Sequence, residues 1–197
     1  MTPELRGNHQ TPPAPARHWG FTLIELLVVI VIVVMLVGLV LPALADGKAK
    51  GQGALCLSNL RQMARAWVLY ADDNNGRLAG NFDGGDAQNH SNSNSTWCVG
   101  WLDLPNAPDN TNVLLLMNSQ LGKYVDGSVE MYKCPADTSV STNGGQVRPR
   151  VRSVSMNGYM GERAGPYTAG YCQFKKLSDL RTPSPSKAWV FILTFWR

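Results

Sequence analysis

The stretch GFTLIELLVVIVIVVMLVGLVLPALA, residues 20–45, is uncharged except for the carboxylate of Glu25. As an α-helix that rises about 1.5 Å per residue, it is long enough to cross the hydrocarbon core of a bilayer. It is also longer than the hydrophobic region of a cleaved secretory signal, which has about 7–15 residues. The stretch therefore predicts a membrane helix.

Glu25 is the unusual residue of this helix. A carboxylate near the end of a span can reach the polar headgroups, whereas one deep in hydrocarbon costs roughly 2.5–3.5 kcal/mol on insertion scales. Any function assigned to this segment has to explain why an acid stands at this position.

The helix continues beyond the apolar stretch. Between Lys48 and Ala71 apolar residues recur at spacings of three and four, with polar residues on the opposite face. The apolar positions are Cys56, Leu60, Met63, Trp67 and Tyr70, widened by Ala64, Val68 and Ala71. The pattern stops at DDNNG, residues 72–76, which predicts a helix end. One long helix thus has an apolar first half, in which Gly38 and Pro42 predict a kink, and an amphipathic second half.

After Gly76 the chain changes character. A long segment rich in Gly, Asn, Asp and Ser predicts an irregular excursion. NVLLLM predicts a short helix, and VEMYKC, RSVSMNGYM and KAWVFIL predict strands. The predicted fold class is α+β, with a small antiparallel sheet laid against the amphipathic half of the helix.

The N-terminal residues resemble a known processing signal. GFTLIE, residues 20–25, followed by an apolar stretch with Pro42, is similar to the class III signal of type IV pilins and type II secretion pseudopilins. The resemblance implies that a prepilin peptidase cleaves between Gly20 and Phe21 on the cytoplasmic side and methylates the new amine of Phe21. The polar, proline-rich residues 1–20 would then be a leader peptide.

The same resemblance implies a role for Glu25. In pilin-like filaments this carboxylate pairs with the N-terminal amine of a neighbouring subunit as the apolar helices bundle. Each charge is costly alone in an apolar core, and buried polar groups of this kind can enforce register. The expected partners are prepilin peptidase, other pilin or pseudopilin subunits and an inner-membrane assembly platform.

A second, weaker resemblance covers the head. CLSNLRQMARAWVLYADDNNGRL, YKCPAD and RSVSMNGYM are similar to stretches of an uncharacterised bacterial family of pilin-like proteins. Members usually carry a further segment with a His and an Asp-Gly after a strand like KAWVFI, whereas this sequence reads FILTFWR there. Either the sequence is truncated or shifted at this point or this copy differs, so the completeness of the sheet stays open. Two of the four cysteines, Cys56 and Cys134, lie in the shared stretches, and their pairing is the preferred disulfide. With Cys98 and Cys172, three full pairings remain open, as do free thiols.

Enzyme chemistry is not predicted. His90 is the one histidine after the leader and lies in a polar loop, without a nucleophile motif or a phosphate-binding loop near it. Lys and Arg are scattered, so the net charge of +4 does not predict nucleic-acid binding.

Two kinds of binding site in the head are less expected alternatives. The acids of residues 72–73 and 81–86, namely Asp72, Asp73, Asp83 and Asp86 with Asn81, do not have the spacing of an EF-hand, so no metal is predicted and calcium is the weaker alternative. A glycan platform on Trp97, Trp101, Tyr159, Tyr167 and Tyr171 is also less expected, because aromatic residues are ordinary strand formers.

The sequence therefore predicts a structural filament subunit rather than an enzyme. Its expected parts are a leader at residues 1–20, an assembly helix at 21–45, an amphipathic half at 46–75 and a head at 76–197. The expected location is the inner membrane, with a single pass and a periplasmic head, and the filament after assembly. The alternative is a membrane-anchored periplasmic binding module that uses the pilin-type signal for targeting.

Overall fold

The computed structural model describes residues 20–82, 84–102, 106–162 and 171–194 of the 197 residues. The chain divides into two compact units. The first ends at Ala45 and the second begins at Asp46. Each unit is considered by itself below.

A long helix, α1, spans Leu23–Asp73. It runs through Pro42 without interruption, and a bend at this residue stays a prediction. The helix ends where DDNNG predicted. Asn75 and Gly76 have φ angles of 56° and 77°, and the Gly76 N–H donates to the carbonyl of Ala71 at 2.8 Å. A left-handed residue after a helix redirects the chain and satisfies a terminal carbonyl.

The remaining helical segments are short. The α-helices are α2 (Gly84–Gln88) and α3 (Leu114–Met117). The 3₁₀ turns of the described residues are His90–Ser95, Pro108–Thr111, Gly122–Val125, Val129–Tyr132, Leu177–Asp179 and Pro185–Lys187. α3 confirms the short helix predicted from NVLLLM. The predicted strand in VEMYKC was wrong, because most of that stretch forms the 3₁₀ turn Val129–Tyr132 instead.

Two small antiparallel sheets are present in the described part of the chain. β1 (Val140–Asn143) pairs with β2 (Gln146–Pro149), and β3 (Val154–Met156) pairs with β4 (Phe191–Leu193). β3 aligns with β4 so that Met156 faces Phe191. These two strands confirm the predictions from RSVSMNGYM and KAWVFIL, and the fold class is α+β with a long N-terminal helix.

The core of the second unit lies on the amphipathic part of α1. Met63, Trp67 and Ala71 are buried there, together with Ala66. They form one apolar cluster with residues of the head that include Trp97, Leu116, Leu121, Tyr132, Val154 and Met160. Val68, predicted on the apolar face, is instead 38% exposed. The buried face of the helix is centred on Met63 and Trp67. Ala66 lies on this face and is buried, whereas Val68 lies outside it.

Gly161 lies where two backbone segments of this core approach each other. Its φ is +85°, and a Cβ there would collide with the carbonyl oxygen of Ala79. We expect Gly161→Ala to lower the free energy of unfolding by about 2–4 kcal/mol, since left-handed strain and overpacking add. Gly145→Ala is the matched control, with a similar φ of +78° and open space around it. Urea unfolding followed by tryptophan fluorescence checks the difference, and equal losses for both variants would contradict it.

Candidate functional site

The apolar segment of the first unit makes no buried contact within the chain. None of residues 20–50 is buried, and the exposed fractions include 71% for Phe21, 82% for Leu23 and 49% for Leu27. By length and composition, α1 is able to cross a membrane. Such a surface requires lipid or other apolar helices around it, because it is too apolar for water.

Glu25 forms the start of α1 together with Thr22. The Thr22 N–H and hydroxyl donate to Glu25 Oε2 at 2.8 and 2.7 Å, and the Glu25 N–H donates back to Thr22 Oγ1 at 3.3 Å. These reciprocal bonds are a capping box, which satisfies two N–H groups at a helix start. The predicted assembly residue therefore also has a role within its own chain.

The predicted processing residues lie just before this cap. Gly20 and Phe21 precede α1, and a Cβ on Gly20 would meet no atom within 4 Å. Phe21 and Glu25 border one groove, together with Ile24, Val28 and Val29. Both hydrogen bonds that the Glu25 carboxylate accepts end on Oε2, and Oε1 has no hydrogen-bond partner among the described residues.

The structure forms the Cys56–Cys134 disulfide expected from the resemblance. The two Cα atoms are 4.8 Å apart, across a sequence separation of 78 residues. The bond joins the amphipathic part of α1 to the turn that follows Val129–Tyr132. Both cysteines are buried, so the bond is part of the packed second unit.

Polar side chains of α1 bind the same turn beside the disulfide. Asn59 Nδ2 donates to the carbonyls of Glu130 and Lys133, both at 3.1 Å, and Gln52 Nε2 donates to Pro135 O at 3.3 Å. Asn59 lies three residues after Cys56, which places both on one face of the helix. The C-x-x-N spacing thus has a structural role.

The other two cysteines are not disulfide-bonded. Cys98 is buried, and its burial raises the pKa of the thiol. Cys172 is exposed. Of the alternatives left open by the sequence, one disulfide with two thiols is the arrangement present.

The acids weighed for calcium do not converge. Asp72 and Asp73 end α1, Asp86 is exposed in α2, and Asp83 lies outside the described residues. The Asn81 amide is engaged elsewhere: its Oδ1 accepts from Trp97 Nε1 at 3.0 Å. Among the residues with described positions, no three His, Cys, Asp or Glu side chains are grouped as metal ligands.

His90 lies in a 3₁₀ turn, whereas its polar sequence predicts a loop. It begins the 3₁₀ turn His90–Ser95, and its Nε2 lies 3.0 Å from Oδ1 of Asp109. The other oxygen of Asp109 accepts from the Trp101 N–H at 3.2 Å. The pair links two loops of the head, so His90 belongs to a local hydrogen-bond network.

The aromatic residues weighed as a glycan platform are dispersed. Trp97 is 3% exposed and packs in the core, where its ring lies 6.2 Å from Tyr132. Trp101 is 38% exposed. Tyr159 and Tyr171 contact each other at 5.4 Å in a different region, and Tyr167 lies outside the described residues. Burial of Trp97 removes this residue from a glycan platform, which the sequence did not favour.

Sequence reasoning missed Arg152. The residue is 9% exposed, and its guanidinium lies 5.2 Å from the centre of the Trp97 ring. Arginine is mostly found at the surface, and nothing in RSVSMNGYM marks this one as buried. An alternation of buried positions through β3 would have been the one available signal.

Comparison with known protein families, curated proteins and solved structures finds no match to this chain.

Proposed function

We propose that this chain is a structural subunit of a filament of the type IV pilus or type II secretion pseudopilus kind. The observation that carries the proposal is the described part of the first unit, residues 20–45: a helical segment with every side chain exposed and one carboxylate near its start. An exposed apolar surface of this kind becomes buried when identical or related helices pack around it. The second unit would be the head that such a subunit presents.

The charge on Glu25 supports assembly rather than simple anchoring. Its Oε1 lies free of hydrogen bonds within the described part of the chain, beside the exposed Phe21 in the shared groove. Cleavage after Gly20 would place an ammonium on Phe21. In a bundle of apolar helices, that ammonium from one subunit and Glu25 of the next would compensate each other, whereas either alone would be strongly unfavourable.

The proposal also assigns each part of the chain to a side of the inner membrane. The leader remains cytoplasmic, the apolar half of α1 crosses the inner membrane, and the disulfide-bonded second unit lies in the periplasm, where disulfides form and persist. Prepilin peptidase, other subunits and the assembly platform are the proposed partners.

One observation favours the alternative, a membrane-anchored binding module. The capping box with Thr22 accounts for Glu25 within a single chain, without any neighbouring subunit. In that case the charge itself would have no function in assembly. The Glu25 variants described in the Discussion separate the two proposals.

Mass spectrometry of the N-terminus tests the processing step. We expect the chain from membranes of peptidase-positive cells to begin at Phe21 with one added methyl group, and the chain from peptidase-deficient cells to keep its leader. Gly20→Val is expected to keep the leader in peptidase-positive cells as well. Because a side chain at Gly20 has open space, the block would report on the peptidase and not on folding.

Gly47→Val is the matched control, since Gly47 also has open space. It is expected to leave cleavage unchanged. Retention of the leader by the unmodified chain in both strains would contradict the proposed maturation, and the anchored module would become the better account.

A further inference from the structure

The second unit contains a cavity of about 360 Å³ with a buried arginine in its wall. We name it the Arg152 cavity. Its described lining includes Phe82, Trp97, Trp101, Arg152 and Met156. Arg152 supplies its one cationic side chain among the described lining residues.

The charge of Arg152 is not paired within the described structure. One guanidinium nitrogen donates to the carbonyl of Gly100 at 2.8 Å, and the group lies over the Trp97 ring. A guanidinium has five N–H donors, and no carboxylate among the described residues forms an ion pair with Arg152. A buried charge is ordinarily paired or coordinated, whereas the partners of Arg152 among the described residues are a carbonyl oxygen and an aromatic ring.

The neighbouring titratable groups do not supply that anion. Burial raises the pKa of both the Cys98 thiol and the Tyr132 hydroxyl, which therefore stay neutral at physiological pH. Asp109 is held by His90 and by the Trp101 N–H. None of these groups in the described part of the chain therefore pairs with Arg152 as an anion.

We propose that the Arg152 cavity binds a small organic carboxylate with a flat apolar body. The guanidinium fork matches the two oxygens of a carboxylate. A single cation suits a monoanion better than a doubly charged phosphate. Phe82, Trp101 and Met156 offer apolar surface for the body of the ligand, as small-molecule sites usually combine apolar walls with few polar groups. This site does not depend on the proposed filament function.

Benzoate is the probe, and benzamide is its neutral isostere. Ligand-observed NMR titration of the full chain in detergent micelles, with empty micelles as the blank, measures both. We expect saturable benzoate binding with a dissociation constant of about 1 mM or lower. Benzamide should bind about tenfold more weakly or worse, because it lacks the charge that Arg152 recognises. Equal binding of the two probes, or no saturable benzoate binding, would overturn the proposal.

Variants test whether benzoate binds in the Arg152 cavity. Arg152→Met should weaken benzoate binding about tenfold or more, and Arg148→Met, at an exposed arginine of β2, should leave it unchanged. Trp101→Ala, at a partly exposed residue, should weaken benzoate and benzamide alike. Benzoate affinity unaffected by Arg152→Met in a folded protein would place the binding elsewhere and refute the assignment. If Arg152→Met does not fold, the proposal is still tested by the comparison of benzoate with benzamide on the unmodified chain and by the Trp101→Ala variant.

Discussion

Glu25→Gln is expected to exclude this chain from filaments while leaving its membrane helix and head intact. Glutamine can replace glutamate in a capping box, so the start of α1 is kept. The variant removes the charge that would pair with the Phe21 ammonium of a neighbour. Breaking a buried ion pair by removing one partner costs about 3–5 kcal/mol, which corresponds to roughly a 100- to 4000-fold loss in association at each interface. Cross-linking of cells to a ladder of multimers measures the effect.

Two control variants separate the charge from the cap. Thr22→Ala removes the side chain that caps α1 and keeps the Glu25 carboxylate, so its multimers should stay near the unmodified level. Glu130→Gln removes an exposed charge in the second unit and should have no effect. If Glu25→Gln forms multimers like the unmodified chain, Glu25 serves as a cap, and the anchored binding module becomes the better function.

Loss of the Cys56–Cys134 bond is the second large effect that we expect. Cys134→Ala should lower the free energy of unfolding of the second unit by about 2–5 kcal/mol, because a bond across 78 residues restricts the unfolded chain strongly. Denaturant unfolding of the full chain in detergent, followed by fluorescence of the buried Trp67 and Trp97, measures this loss.

The controls for the disulfide use the other cysteines and the reduced protein. Cys172→Ala, at an exposed thiol, should change the stability little. Cys56→Ala, Cys134→Ala and the double variant should lose similar amounts, since each removes the same bond. Reduction of the unmodified protein should reproduce the loss. Peptide mapping that joined Cys56 or Cys134 to another cysteine would show that the assigned pair is wrong.

Much of the helical part could be predicted from the sequence because it depends on local patterns. The apolar run, the three-and-four spacing of Met63 and Trp67, and the Asn75–Gly76 stop each follow from the chain's own periodicity and backbone preferences. The structure of the head was harder to predict from the sequence. The hairpin of β1 and β2 was missed, although Gly144 and Gly145 both have positive φ and form the two-residue turn typical of hairpins. NGG at residues 143–145 was the signal for it.

Other features depended on tertiary packing. VEMYKC has the composition of a strand, yet Val129–Tyr132 forms a 3₁₀ turn that buries Tyr132 against Trp97 and lies beside Cys134. β propensity describes how a residue fits a half-buried surface, and packing often overrides it. The placement of Arg152 has the same origin, because its burial results from the approach of β3 to Trp97 and Gly100.

By itself, the sequence determined the long helix, the change within it from apolar to amphipathic, its end at Asn75 and Gly76, and the α+β class. These follow from residues close together in the chain, where spacing and backbone preference act directly. Only the tertiary structure decided that Trp97 is core, that His90 is held by Asp109 and that Arg152 lines a cavity. These residues are far from their partners in the sequence, and their contacts depend on how the whole head packs.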